Sequence, residues 1–436
     1  MAAQPLRRVR KFIHQNVRKM ISSLPRNMRF AIYRSFVDCD PTPDARLELK
    51  IAETRDELEA CFSLLHDAYV DSGFMQPAPS GLRVTIYHAL PTTTTLCAKW
   101  DGRVVGTISL IRESAFGFPL QKIFDLSPVR QKEGNLAEVS ALAVHPSFRK
   151  TGGAILFPLM KFMYEYATKY FDTRHLLIAV NPNRIEMYES LLYFQRLQAT
   201  AVESYEFANG APAVGASLDL REAPELLEAV YRNKPPRKNL YDYFTKIALA
   251  NLKLPYRRYF TTNDPVLTPE LLNYFFNVRT EGFASLDLRL KVLLHSIYDL
   301  PSYQHVLPDL PIQAEGVQLR QHQRFSVKCP GQIKPDGAAT SDVAYPVQVI
   351  EVSEFGFQAY AKDALPLNTW GSAIVQLGKK ERAVVKALAV RDKANGFNGF
   401  YGFRVGEPDL IWKKFVNALQ NGRTHDDLAH ATLFLT

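Results

Sequence analysis

Glu138-Val139-Ser140-Ala141-Leu142-Ala143-Val144-His145-Pro146, then Arg149-Lys150-Thr151-Gly152-Gly153-Ala154 and an amphipathic stretch to Tyr166, is the part of the chain that decides its fold. The apolar run Val139 to Val144 ends at His145-Pro146 and predicts a buried strand. Gly152 and Gly153 carry no Cβ, so the backbone there can approach a ligand closely. The helix that follows opens with N–H groups that lack intrahelical partners and carry partial positive charge. Arg149 and Lys150 add full charges beside them. A strand, a glycine pair and a helix in this order suit a phosphate, and they also suit an ordinary strand-to-helix connection.

The pattern continues on both sides. Upstream, Thr95 to Trp100 and Arg103 to Ile111 flank Asp101-Gly102, a two-residue turn signal that predicts an antiparallel hairpin. Downstream, His175 to Val180 reads as a strand leading into Asn181-Pro182 and a helix that carries Tyr188 and ends near Phe194.

Arg-x-x-Gly-x-Ala after a strand resembles motif A of the GNAT acyltransferases. The resemblance implies a mixed sheet in which the motif A strand splays from its neighbour and a thioester arm lies in the gap. Leu142, Val144, Arg149, Lys150, Gly152, Gly153, Ala154 and Asn181 would then bind the acyl donor. Tyr193 stands where the family usually has a glycine before the aromatic residue of the last helix. The segment Glu138 to Val144, with Leu65-His66-Asp67-Ala68-Tyr69-Val70 and Pro119-Leu120-Gln121-Lys122-Ile123-Phe124-Asp125, resembles the FeeM-like N-acyl amino acid synthases. Those enzymes pass a fatty acyl group from the phosphopantetheine thioester of acyl carrier protein to an amino acid. Acyl-CoA remains open as the donor, since an acetyl-CoA enzyme would share motif A.

Amide formation needs a deprotonated amine, so a carboxylate near the motif A strand must take its proton, and Glu138 is the candidate. Backbone N–H groups around Leu142 to Val144 are candidates for holding the oxyanion. By the GNAT resemblance Tyr188 would protonate the leaving thiolate; a packed core tyrosine is the alternative. His66 and His145 have no metal-ligand spacing, and no metal site is expected.

Composition bounds the remainder. In 436 residues, 47% hydrophobic, two or three cored domains are expected. Cys39, Cys61, Cys97 and Cys329 form no Cys-x-x-Cys pair, which speaks against a zinc or disulfide framework and suits the cytoplasm. The net charge of +9 is concentrated at one end: residues 1–37 hold nine basic residues and no acid, leaving 44 basic and 44 acidic residues elsewhere. Within that segment Leu6, Val9, Ile13, Val17, Ile21 and Leu24 recur at helical spacing. Packing on the protein's own body, residues 5–34 on an anionic membrane surface at its inner face, and docking of the acidic acyl carrier protein all fit such a helix. Nucleic acid does not, because the rest of the chain has no basic surplus.

The expected architecture is α+β: a basic amphipathic segment over 1–37, a GNAT-like mixed sheet flanked by helices over 38–220, a helical extension over 221–315, a small antiparallel barrel over 316–425 and a tail over 426–436. Strands are expected from about Val317 to Phe415, and one long helical pattern from Leu271 to Tyr298. In the barrel, Arg320-x-x-x-Arg324 and Glu351-x-Ser353-x-x-Gly356 resemble the paired motifs of PilZ domains. That resemblance implies cyclic di-GMP as a regulatory ligand, held by guanidinium forks on phosphate and guanine. Glu351 replaces the family's Asp or Asn. Two functions follow, a cyclic di-GMP-regulated N-acyltransferase or a non-catalytic cyclic di-GMP adaptor on a GNAT-like scaffold; the intact Arg149 to Ala154 loop and Glu138 favour the enzyme.

Overall fold

The computed structural model describes residues 23–149, 151–255, 257–262, 267–298, 301–310, 324–336, 344–392 and 399–420. Its first half is built on an eight-stranded sheet: β1 (Leu47–Ile51), β2 (Thr93–Trp100), β3 (Arg103–Arg112), β4 (Asn135–Val144), β5 (Thr173–Val180), β6 (Gln195–Arg196), β7 (Val202–Tyr205) and β8 (Ala211–Asp219). The order is β1-β2-β3-β4-β5-β8-β6, with β7 against β8. Only β4 and β5 run parallel. The expected hairpin is present as β2 and β3, and Asp101 and Gly102 both take positive φ, 48° and 78°. That geometry matches the twist of the flanking strands.

Described helices of six or more residues are α1 (Arg26–Ser35), α2 (Arg55–Asp71), α3 (Leu156–Phe171), α4 (Pro182–Leu192), α5 (Ala223–Tyr231), α6 (Leu240–Thr245), α7 (Leu288–Ile297) and α8 (Leu410–Gln420). A capping box at Thr54 and Glu57 starts α2, while Asn181 accepts from the Asn183 N–H and Pro182 sets φ for the first turn of α4. The sheet separates two cores. On one face α3, α5 and α6 bury Leu159, Phe162, Leu227 and Phe244; on the other lie Leu58 and Phe62 of α2 with Tyr87, Leu120 and Tyr205.

The second core is completed from beyond the sheet by Leu272, Phe275, Phe276, Leu294 and Tyr298. The long helix expected over Leu271 to Tyr298 is interrupted: a five-residue π turn at Tyr274–Val278 precedes the break before α7. The apolar side chains keep their buried role because the break lets each half seat separately on the sheet.

The second half is a closed antiparallel barrel of β9 (Phe325–Pro335), β10 (Tyr345–Ser353), β11 (Gly356–Ala361), β12 (Trp370–Gln376), β13 (Arg382–Asp392) and β14 (Phe400–Val405), ordered β10-β11-β14-β13-β12-β9. The stretch to Phe415, expected as strand, ends instead in helix α8. Asp409 caps it through the Trp412 N–H at 2.6 Å, and Trp412, Phe415, Val416 and Leu419 enter the barrel core. Burying each such side chain contributes about 1.5–3 kcal/mol.

A strap at 257–262 joins the halves. Tyr259 is buried in the barrel core, the Phe260 N–H donates to the Leu377 carbonyl at 2.8 Å, and the Lys328 N–H donates to the Phe260 carbonyl at 2.9 Å. Arg257, two residues earlier, stacks over Tyr170 and Phe171 at the end of α3 and donates to the Tyr166 hydroxyl at 2.6 Å. Lys328 also pairs with Asp172, the left-handed residue that terminates α3.

Most of the N-terminal apolar stripe, Leu6 to Ile21, lies outside the described residues. The described basic helix α1 packs on α4: Arg29 pairs with Glu186 at 2.6 Å, and the Arg34 Nε donates to the Ser190 carbonyl at 3.0 Å. No helix among the described residues is long and apolar enough to cross a membrane.

Candidate active site

β4 holds β5 only from Asn135 to Glu138, where the last pair is Glu138 with Leu177. Beyond it the two strands part. β4 also bulges: against β3, Ser140 pairs with Ser109 and Ala143 with Thr107, so two residues, Ala141 and Leu142, oppose one. Ala141 takes φ +54°, a left-handed conformation that costs an alanine on the order of 1 kcal/mol or more. A bulge bends the strand and breaks its pairing, and the β4 backbone from Val139 to Val144 has no β5 partner on the splayed side.

A cavity of about 260 Å³ fills the gap. On the α3 side its walls are apolar, with Met160, Met163, Ile178, Leu220, Leu227 and Phe244. On the α2 side they are aromatic and polar, with Tyr69, Phe74, Tyr205, Phe207 and Glu138. The opening therefore passes through the sheet and offers each side different chemistry.

Glu138 lies in the wall, 2% exposed, with Oε2 accepting the Leu120 N–H at 3.1 Å. Burial pushes its carboxyl up to about 8, partly offset by that hydrogen bond. Such a group titrates where an ammonium must be relieved of its proton. Tyr188 lies in the same cavity edge-on to Phe194, and burial raises its phenol, so it keeps its proton at neutral pH. Leu142 and Asn181 also line the cavity, although the Asn181 side chain is occupied as the cap of α4. Sequence reasoning missed Tyr205, Phe207, Arg184, Leu227 and Phe244. Tyr205, Phe207, Leu227 and Phe244 come from elements remote from the motif A strand and show no local pattern, while Arg184 lies on the predicted helix α4 beside the residues that were named.

The loop from Arg149 to Ala154 takes a turn that its glycines allow, and the contacts that require glycine there are internal to the fold. Gly152 and Gly153 take φ +66° and +100°; a Cβ at Gly152 would meet Asp38 Oδ2 at 2.9 Å, and one at Gly153 the Phe157 ring at 2.5 Å. Asp38 is held by Arg237 at 2.7 Å, which keeps its carboxyl below the usual range. Ala154 closes the turn through the Thr151 carbonyl. Arg149 spends its guanidinium on the Val144 carbonyl at 2.8 Å and on Asp71 at 3.4 Å, tying the end of β4 to the end of α2. Lys150 lies outside the described residues. Tyr193 takes a left-handed φ, +64°, of the kind that glycine favours at the end of a helix, and Arg34 stacks on its ring.

In the barrel, Arg324, Glu351, Ser353 and Gly356 line one pocket of about 290 Å³. Arg324 is paired with Glu351 at 2.9 Å, and Ser353 Oγ donates to the Gly356 carbonyl at 3.1 Å. A Cβ at Gly356 would meet the Phe403 carbonyl at 2.8 Å. Arg320 lies outside the described residues. Among those residues no cluster of His, Cys, Asp and Glu is placed to hold a metal ion, and all four cysteines are free and buried.

Residues 60–219 match the family model described as N-acyl amino acid synthase FeeM. That match makes the mixed-sheet half of the chain an acyltransferase domain. Among solved structures, FeeM, an N-acyl amino acid synthase from uncultured soil microbes, is 24% identical over 41% of this chain and 94% of its own, with a TM-score of 0.36. The acyl-homoserine-lactone synthase LasI is 15% identical over 41% and 91%, TM-score 0.32. BjaI, a CoA-dependent acyl-homoserine lactone synthase, is 20% identical over 43% and 89%, TM-score 0.33. No match emerges among curated proteins.

Proposed function

We propose that the protein is an N-acyl amino acid synthase that takes a fatty acyl group from acyl carrier protein and is regulated by cyclic di-GMP at its barrel. The observation that carries the chemistry is Glu138, a carboxyl poised near 8 in the wall of a cavity that is apolar on one face of the sheet and polar on the other. The acyl chain lies against the Met160 and Met163 wall, and the amine enters beside Glu138. Positive charge on the entering ammonium draws the carboxyl into its ionised form, and the carboxylate takes the proton. The free amine attacks the thioester carbonyl, the C–N bond forms, and N–H groups of the bulged Leu142 to Val144 segment hold the oxyanion. The C–S bond then breaks, with Tyr188 protonating the departing thiolate, and the nitrogen, cationic since its attack, gives up its extra proton to the Tyr188 phenolate, which leaves a neutral amide and a free thiol while Glu138 returns the first proton to solvent.

Asp38 supports acyl carrier protein as donor over CoA. Asp38 beside Gly152 shares the one Arg237 guanidinium with Asp40, so the two carboxylates are only half neutralised and oppose a polyphosphate nucleotide more than the single phosphodiester of a protein-borne arm. Three of the nine cations of residues 1–37, Arg26, Arg29 and Arg34, are engaged on α4, and the six that precede them in sequence suit an acidic carrier. For the barrel, the convergence of Arg324, Glu351, Ser353 and Gly356 on one pocket supports a PilZ-type site. The test is incubation with long-chain acyl carrier protein thioesters and mixed amino acids, with mass spectrometry for new N-acyl products. Absence of any such product from carrier or CoA donors would overturn the reading.

A further inference from the structure

The acyl-transfer scheme passes through a Tyr188 phenolate, and a phenolate set among apolar walls needs a countercharge. Among the described residues that line the cavity there is one cation, Arg184. The other ionisable side chains of the lining are Glu138 on β4, Tyr69 on α2, Tyr164 on α3, Tyr205 on β7 and Tyr188 itself, none of which can carry positive charge. Arg184 stands in the first turn of α4, four residues before Tyr188. Side chains at that spacing share a helix face, with Cβ atoms about 5–6 Å apart.

The Arg184 guanidinium makes no hydrogen bond or ion pair among the described residues. The two acids of the same helix are already taken, Glu186 by Arg29 at 2.6 Å and Glu189 by Arg196 at 3.0 Å. A cation in the first turn also opposes the helix dipole, so folding alone gives this position no reason for an arginine. The side chain is exposed, so it reaches the cavity from the solvent side and stays hydrated between turnovers. Burial raises the Tyr188 phenol, and Arg184 opposes that rise. We infer that Arg184 is a positioning residue for the leaving-group step, facing Tyr188 across one turn of α4 and steadying its phenolate until the proton returns. The Tyr188 O–H bond breaks as the S–H bond forms and is remade with the proton of the amide nitrogen, so Arg184 itself transfers nothing. The inference rests on the proposed acyl transfer and on Tyr188 as its acid.

A double-mutant cycle of Arg184 and Tyr188 tests it, by single turnover with acceptor and a long-chain acyl thioester of carrier protein or CoA both saturating. Tyr188→Phe is expected to slow the step by about 10²–10⁴-fold, the range of a lost general acid. Arg184→Gln is expected to slow it by about 5-fold, the upper scale of an exposed ion pair, with the KM of donor and acceptor unchanged. Arg184→Lys keeps the charge and restores the rate. In the Tyr188→Phe background Arg184→Gln has no further effect, because no phenolate forms there, whereas a role in folding or binding would persist. The melting temperature of Arg184→Gln stays level, since the side chain is exposed. A loss that persists in the Tyr188→Phe background, or that falls on KM alone, overturns the countercharge and makes Arg184 a binding contact instead. An unaltered rate in Arg184→Gln overturns it as well. An unaltered rate in Tyr188→Phe overturns Tyr188 as the acid, and this inference with it, and leaves the acyltransferase standing. Absence of product from every donor overturns the acyltransferase itself.

Discussion

At the residue scale, Glu138 is a buried acid that costs the fold stability once the pH exceeds the ordinary glutamate range. Its folded carboxyl titrates near 8 against 4.5 for an ordinary glutamate, so the folded state holds a proton that the unfolded state has released. That contribution is fully present below about pH 4.5 and is lost as pH rises toward 8. At pH 7 the difference amounts to about 3 kcal/mol against the fold. Glu138→Gln keeps an acceptor for the Leu120 N–H and has nothing to ionise. Its melting temperature is expected to equal the wild type's near pH 4.5 and exceed it increasingly up to pH 8; parallel melting curves across that range would contradict the buried-acid account. Glu138 was legible in the sequence because it directly precedes the apolar run Val139 to Val144, whose following loop has a pattern that suits a phosphate. Tyr205 was not, since a tyrosine at a strand end acquires meaning only from the partners that folding gives or withholds.

At the scale of elements, the hairpin, the motif A strand and helix, and the following strand were readable because each rests on local signals: a two-residue turn, an apolar run, a glycine pair. Helix α8 had signals too, with Pro408-Asp409 ahead of Trp412, Phe415, Val416 and Leu419 at helical spacing, but the strand pattern before it masked the change of period. The floor of the acyl wall was unreadable, because Leu227 of α5 and Phe244 of α6 meet the cavity only through tertiary packing. They lie outside the family match, and under the proposed function they set the room for the acyl chain. Leu227→Trp is expected to move donor preference toward shorter chains, and Leu227→Ala toward longer ones at a cost of about 2–5 kcal/mol in stability. A chain-length profile identical in both variants would place the acyl chain elsewhere. Beside the donor loop, Asp38→Asn is expected to raise kcat/KM for acyl-CoA more than for the carrier-borne thioester, since it removes a charge that opposes phosphates. Equal gains for both donors would remove Asp38 from donor choice.

At the scale of the whole molecule, the strap at 257–262 ties the barrel to the end of α3, whose other end opens beside the donor loop. Its strand-like pairing has no alternating pattern in the sequence because both partners, Val327 and Gly378, are distant in the chain. In the barrel pocket Arg324 is already paired with Glu351, which a phosphate must compete with. Glu351→Gln is expected to tighten cyclic di-GMP binding by about tenfold in calorimetry, the size of one charge-assisted hydrogen bond. Binding that is absent in both forms would remove the ligand from the account. Where binding alters the acylation rate, Arg257→Ala should keep the affinity and lose the rate effect, since coupling needs a contact that differs between the two states.

The central claim is that Glu138 is the base that frees the acceptor amine, and single-turnover amide formation measured against pH tests it most directly. With donor saturating, the wild-type rate at limiting acceptor should rise through an apparent pKa near 8, and Glu138→Gln should lose that limb and slow by about 10²–10⁴-fold. A Glu138→Gln enzyme with the wild-type rate and the same limb would contradict the account.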